Sequence, residues 1–246
     1  MSGPEHWIWG RQPVLEAILA KTAHSVLIAR NVGAGQSIHS IEKEATRAGI
    51  PIQRVDSSAI ERIAPGAVSQ GVAASVRLAL FTEVADVLDQ IPNDTVALLV
   101  ALDRVQDPHN LGAVLRSADA AGAHGVVFPA RHAATVSGGV AKASAGAMHH
   151  VKMAQVTNLA RSLEEIRRRN IWVVGLDGHA DRSLFNVDLS VPLCVVVGGE
   201  ESGLRRLTRD HCDILARIPM RGSVSSLNAS VAAGVALFEA VRQRGE

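Results

Sequence analysis

Beyond Asn93 the chain repeats one pattern: a short apolar run that reads as a strand, then an amphipathic stretch that reads as a helix. Strands are expected at 96–102, 125–128, 151–154, 171–176, 193–197 and 214–218, and helices at 111–121, 137–145, 158–169, near 204 and at about 228–242. Antiparallel neighbours can be joined by tight turns, whereas parallel ones need a crossover, so this order predicts a mostly parallel sheet covered by helices. In such a sheet, ligands belong at the carboxyl ends of the strands.

Before Asn93 the text differs. Helices at 13–20 and 37–48 and strands at 25–29, 52–55 and 71–76 form a small α/β unit with its own apolar content. A further helical pattern at 83–91 ends at Pro92-Asn93-Asp94. The expected division is an N-terminal unit at 1–77, a linker at 78–93 and a larger unit at 94–246.

With 47% hydrophobic and 20% charged residues the chain is a packed protein rather than a disordered one. The formal net charge of +1 does not by itself announce nucleic acid. Two cysteines, Cys194 and Cys212, and no basic leader followed by an apolar segment point to a reducing cytoplasm. The apolar runs fall far short of the roughly 20 residues of a membrane span, so no membrane association is expected. His149 and His150 are adjacent, lack the spacing of helical metal ligands and have no cysteine nearby, so no metal is expected either.

Three stretches can carry chemistry. In 103–119, Asp107-Pro108 turns the chain, Asn110 is placed to cap a helix, and Gly112 lies in its first turn, where glycine costs about 1 kcal/mol relative to alanine. Gly112 stands one turn before Arg116 and would leave room for the guanidinium to lie toward Asn110. In 194–203, a buried strand empties into Gly198-Gly199-Glu200, with Glu200 readable as a carboxylate at a helix start. That loop has no Gly-Lys-Ser/Thr ending, and no G-x-G-x-x-G follows any strand, so both common nucleotide fingerprints are missing. In 218–228, Gly222, Ser225, Ser226 and Asn228 precede the last helix; one of them caps it, and together they exceed what a cap needs. Between the last two stretches lie Arg205, Arg206, Arg209, Arg217 and Arg221, a local excess of positive charge suited to a phosphate backbone or, for Arg205, Arg206 and Arg209, to a solvated helix face.

These residues resemble the SpoU/TrmH class of RNA ribose 2′-O-methyltransferases, and the likeness covers nearly the whole chain. Asp107-Pro108-His109-Asn110-Leu111-Gly112 through Arg116-Ser117-Ala118-Asp119 is similar to that family's first motif, Gly198-Gly199-Glu200 through Gly203 to its second, and Ile218-Pro219-Met220 through Ser226-Leu227-Asn228-Ala229-Ser230 to its third. The resemblance implies an α/β methyltransferase domain whose C-terminal segment is threaded as a trefoil knot, preceded by a ribosomal-protein-L30e-like RNA-recognition domain in which Gly10 and Gln70-Gly71 stand in matching places. It implies S-adenosylmethionine as cofactor, held by Val197, Gly198, Ile218, Met220 and Leu227. It further implies a homodimer, which suits the Ala/Gly-rich last helix, and ribosomal RNA as partner, with Gln70 as an RNA-binding residue to add to Arg205, Arg206 and Arg221 from the charge pattern.

By the same resemblance Asn110, Arg116, Glu200, Ser226 and Asn228 form the active-site set. The family reaction is attack of a ribose 2′-hydroxyl on a sulfonium methyl, with a guanosine of large-subunit ribosomal RNA as the expected substrate. A guanidinium keeps its proton in proteins, so Arg116 is expected to anchor a phosphate and polarise the hydroxyl rather than act as base. Asn110 and Ser226 would orient that hydroxyl, and Glu200 would fix Arg116 or Asn110. The rival expectations are a transfer-RNA or antibiotic-resistance methyltransferase of the same fold, and a non-catalytic RNA-binding assembly factor.

Overall fold

The computed structural model describes residues 6–33, 35–76, 81–131, 133–134, 138–200 and 203–245. The expected boundary at 77/78, the start of the helix expected at 137 and Glu201-Ser202 of the second motif lie outside the described residues.

The N-terminal part contains β1 (His6–Trp9), α1 (Arg11–Leu19), β2 (Ala23–Ala29), α2 (Gln36–Arg47), β3 (Ile52–Val55), α3 (Ser57–Ile63) and β4 (Val72–Val76). Its four strands form a mixed sheet in the order β1-β4-β2-β3, antiparallel except between β2 and β3. Strand β1 and helix α3 are additions to the pattern read from the sequence. The segment expected as linker carries α4 (Val84–Asp89), whose Val84, Val87 and Leu88 are buried. Just ahead of it Phe81 bridges to Met153 and meets the Phe128 ring edge-on at 5.7 Å, fastening this segment to the second sheet.

That sheet is built from β5 (Leu98–Asp103), α5 (Pro108–Ala120), β6 (Gly125–Pro129), α6 (Gly138–Ala143), β7 (Met153–Val156), α7 (Leu159–Arg168), β8 (Trp172–Leu176), β9 (Arg182–Ser183), β10 (Leu193–Gly198), α8 (Arg206–Asp210), β11 (Ile214–Arg217) and α9 (Ala229–Gln243). Its order is β7-β6-β5-β10-β8-β11-β9, and every pairing is parallel. Each residue of β5 and β6 is buried, as a strand covered by helices on both faces requires. The short helix expected near Leu204 begins at Arg206, and β9 was not foreseen.

The chain leaves β5 toward β6 and β7 on one side and builds β10 and β8 on the other. The carboxyl ends of β5 and β10 therefore open a crevice at the point where strand order reverses. Their register sets Asp103 beside Gly198, so the loops after both strands start at the same level.

Two packing details fix the crevice walls. A Cβ at Gly112 would overlap Ala143 Cβ and come within 2.9 Å of Ser144 N and Val140 O, so glycine is there to let α5 meet α6. This corrects the expectation that Gly112 clears space for Arg116. On the other face, α9 lies against α5, where a Cβ added at Gly234 would stand 3.6 Å from Ser117 Oγ.

Candidate cofactor and RNA site

Helix α5 starts at Pro108, and Asp107 caps it by accepting from His109 N at 2.8 Å. Asn110 is thus not the cap its position suggested. It sits inside the first turn with its side chain buried, because the proline has fixed the helix start one residue after Asp107.

The freed amide is held at both ends. Asn110 Nδ2 donates to Glu200 Oε1. Asn110 Oδ1 accepts from Asn228 Nδ2 at 2.9 Å, and Ser230 Oγ lies 3.3 Å from it. Asn228 in turn caps α9, its Oδ1 accepting from Ser230 N at 2.9 Å and Val231 N at 3.4 Å, while Ser230 Oγ donates to the same oxygen at 2.6 Å. One side chain therefore serves cap and network together. Ser230 belongs to this set although its role was not foreseen; its place two residues after the cap asparagine is the signal that could have found it. Glu200 is not at a helix start, since α8 begins at Arg206; the Asn110 amide is its partner instead.

The loop after β10 is clamped from β5. Asp103, fully buried, accepts from Arg205 N at 2.9 Å and from Arg205 Nε at 2.7 Å, and Gly199 N donates to Asp103 O at 2.8 Å. Gly203 N closes back on Gly199 O at 3.0 Å. A Cβ on Gly198 would overlap the Gly203 carbonyl carbon and stand 2.5 Å from its oxygen and from Leu204 N, so only glycine lets the loop fold over the strand end.

Between this loop, the end of β8 and residues 218–227 lies a cavity of about 430 Å³. Val197, Gly198, Ile218, Met220 and Leu227 all line it, and so do Glu200 and Ser226. Its volume falls in the ~300–1,000 Å³ of small-molecule sites. The opposite wall, Leu176-Asp177-Gly178-His179, was missed by sequence reasoning because it carries no motif; its position at the end of a parallel strand was the available signal. There Asp177 pairs with Arg209 at 3.0 Å. Walls that set Val197, Ile218, Met220 and Leu227 beside Asp177, Glu200, Arg209 and Ser226 suit a cofactor that combines an adenine with a charged amino-acid end.

The remaining residues lie apart. Arg116, exposed on α5 six residues past Asn110, has no hydrogen bond or ion pair with any described residue and does not join the Asn110 network. Arg205 is committed to Asp103, whereas the Arg206 side chain is 96% exposed with only a 3.9 Å pair to Asp210, and Arg221 is exposed. Gln70 is exposed, with its Oε1 accepting from Arg11 N at 3.0 Å, which caps α1 where Gly10 has no side chain to do so. Among the described residues, no cluster of His, Cys, Asp and Glu is placed to hold a metal, and no helix is long and apolar enough to cross a membrane.

Comparison with known proteins gives this arrangement a family. Residues 97–238 match the SpoU rRNA Methylase family, and residues 7–80 match the RNA 2′-O ribose methyltransferase substrate binding family. The chain is 46% identical over 248 residues to the 23S rRNA (guanosine-2′-O-)-methyltransferase RlmB of Xylella fastidiosa, covering 99% of each. Its fold is similar to the crystal structure of the SpoU methyltransferase AviRb from Streptomyces viridochromogenes in complex with the cofactor AdoMet, with TM-score 0.84, 29% identity and 98% and 91% of the two chains covered. It is similar also to an RNA 2′-O ribose methyltransferase, with TM-score 0.81, 27% identity and 98% and 90% covered. With both family matches in chain order and the cavity built from the second and third motifs, this chain belongs to the SpoU rRNA methylase family.

Proposed function

We propose that this protein transfers a methyl group from S-adenosylmethionine to the ribose 2′-hydroxyl of a guanosine in large-subunit ribosomal RNA. The observation that carries the reading is the hydrogen-bonded set Glu200–Asn110–Asn228, joined through Glu200 to the wall of a cofactor-sized cavity, at the point where strand order reverses. Its full-length likeness to RlmB supports the choice of substrate.

When bound, the cofactor supplies an electrophilic methyl on a sulfonium. The protein's part is to place the hydroxyl in line with it. Asn110 is suited to this: with Oδ1 facing the Asn228 amide and Nδ2 facing the Glu200 carboxylate, its amide cannot flip, and the second Nδ2 hydrogen has a fixed direction for a ribose oxygen. Glu200 Oε1 holds that amide, and its other oxygen accepts from the incoming hydroxyl. Ser226, in the cavity wall, orients the same hydroxyl. Arg116, with its guanidinium unpaired among the described residues, grips a phosphate of the target nucleotide and polarises its hydroxyl from outside the network.

In this reading residues 1–77 recognise RNA, 78–93 join them to the catalytic unit at 94–246, and the C-terminal segment is threaded through a loop as a trefoil knot. Arg206, Arg221 and Gln70 contact RNA. The protein works in the cytoplasm as a homodimer; Val231 and Phe238, each 50% exposed on α9, supply an apolar face for the second copy.

The test is mass spectrometry of ribosomal RNA from cells lacking the protein, together with methyl transfer by the purified chain. A missing 2′-O-methylguanosine that the purified chain restores is expected. Fully methylated large-subunit RNA in the deletion strain would refute the substrate, and no calorimetric binding of S-adenosylmethionine would refute the enzyme reading.

A further inference from the structure

Arg104, the first residue past β5, adopts φ 63°, the left-handed region that side chains rarely enter. The other described non-glycine residues with positive φ have local reasons: Lys21, Ala145 and Asn170 lie just beyond helices, and Gln70 lies in the tight turn before β4. Arg104 follows a strand. A glycine would hold this turn without strain, so the side chain is kept at a conformational cost.

That side chain is also unsatisfied. Its Nε is buried without a hydrogen-bond partner, and the guanidinium makes no hydrogen bond or ion pair with any described residue. The residue as a whole is only half-buried, so part of it reaches solvent. A half-buried cation with a desolvated, unpartnered N–H lacks an anion.

Its location narrows the anion. A Cβ on Gly199 would overlap the Arg104 carbonyl oxygen, so Arg104 packs against the residue next to Glu200, the partner of Asn110. It does not line the cofactor cavity, which lies between β10, β8 and residues 218–227. Arg104 thus adjoins the loop that bears Glu200 without belonging to the cofactor cavity, which leaves the RNA substrate as the source of the anion. Resting on the RNA-methyltransferase reading above, we propose that the Arg104 guanidinium binds a phosphate of the RNA strand beside the target ribose.

The left-handed backbone gives an unusual test, because Arg104→Gly removes the guanidinium while relieving the strain. Steady-state kinetics on large-subunit RNA should show KM for RNA raised about tenfold, the size of one charge-assisted hydrogen bond, with kcat little changed. Calorimetric affinity for S-adenosylmethionine should be unchanged, and Tm should equal or exceed that of the wild type. The slope of log affinity for RNA against log salt should fall by about one, and Arg104→Lys should recover part of the loss. An unchanged KM for RNA, a weakened affinity for S-adenosylmethionine, or a lowered Tm in Arg104→Gly would each overturn the assignment. Wild-type turnover on the same RNA is the control: its absence sinks the proposed function and this inference with it, whereas normal wild-type turnover with an indifferent Arg104→Gly sinks this inference alone.

Discussion

The side-chain amide of Asn228 donates to Oδ1 of Asn110 across 2.9 Å, joining two residues 118 positions apart. The same asparagine caps α9 through its oxygen, so cap and site can be separated chemically. Asn228→Asp keeps an acceptor for Ser230 N but turns a second oxygen toward Asn110 Oδ1. We expect Tm close to the wild type and kcat lowered about a hundredfold by the misplaced amide. Asn228→Ala should lose activity and about 1 kcal/mol of stability. Near-normal kcat in Asn228→Asp would show that the bond has no part in turnover.

Gly198 is where added volume meets only backbone. In Gly198→Ala the new Cβ runs into Gly203 and Leu204 N, and neither can step aside as a flexible side chain would. Overpacking costs about 1–3 kcal/mol. Borne at the cavity wall, about 2 kcal/mol weakens binding of S-adenosylmethionine roughly thirtyfold. Calorimetry measures this directly, and wild-type affinity would mean that the loop does not shape the cofactor site.

Arg205 and Arg206 are neighbours with opposite expected effects. Arg205→Ala leaves the fully buried Asp103 without its Nε partner. The loss should be about 2 kcal/mol of stability, below the ~3–5 kcal/mol of a fully buried pair because the arginine is partly solvated. Arg206→Ala removes an exposed cation and should leave Tm unchanged while weakening RNA binding, with the salt slope reduced by about one. Thermal melts and salt-titrated RNA binding on both variants decide it; equal effects of the two would contradict the assignment.

His149 makes stability depend on pH. It sits where the two sheets' elements meet, its Nδ1 3.2 Å from Thr22 Oγ, with His150 beside it and Glu16 3.8 Å from the His150 ring. Burial, helped by the charge of His150, lowers its pKa from 6.5 to about 4. The unfolded chain then takes up the proton before the folded one does. The neutral ring's contribution is complete above pH 6.5 and is lost as pH falls from 6.5 toward 4. Tm should decline over that window, and His149→Gln should flatten the decline. An identical pH profile in the variant would assign the effect to other groups.

Much of the catalytic unit was legible in the sequence because its signals are local. Apolar runs such as 193–197 and the helical patterns after them reflect burial and periodicity, which need no knowledge of neighbours. Those signals gave the parallel sheet and directed attention to the strand ends. The short motifs at 107–119, 198–203 and 218–230 supplied the candidate residues. Asn110 as helix cap and Gly112 as room for Arg116 were misread for one reason: each was assigned to the nearest neighbour in the chain, and the partner in space was elsewhere.

By itself, then, the sequence determined where most strands and helices form, β1, α3 and β9 aside, and which polar residues stand near the strand ends, since hydrophobic period, proline and capping act over a few residues. Only the tertiary structure decided that β10 lies beside β5, that Asn110 holds Glu200 and Asn228, that Arg205 serves Asp103, and that the motif-free end of β8 walls the cavity. Strand order is chosen by burial and pairing over about a hundred residues of separation, and the hydrogen bonds that orient the candidate site follow from that order alone.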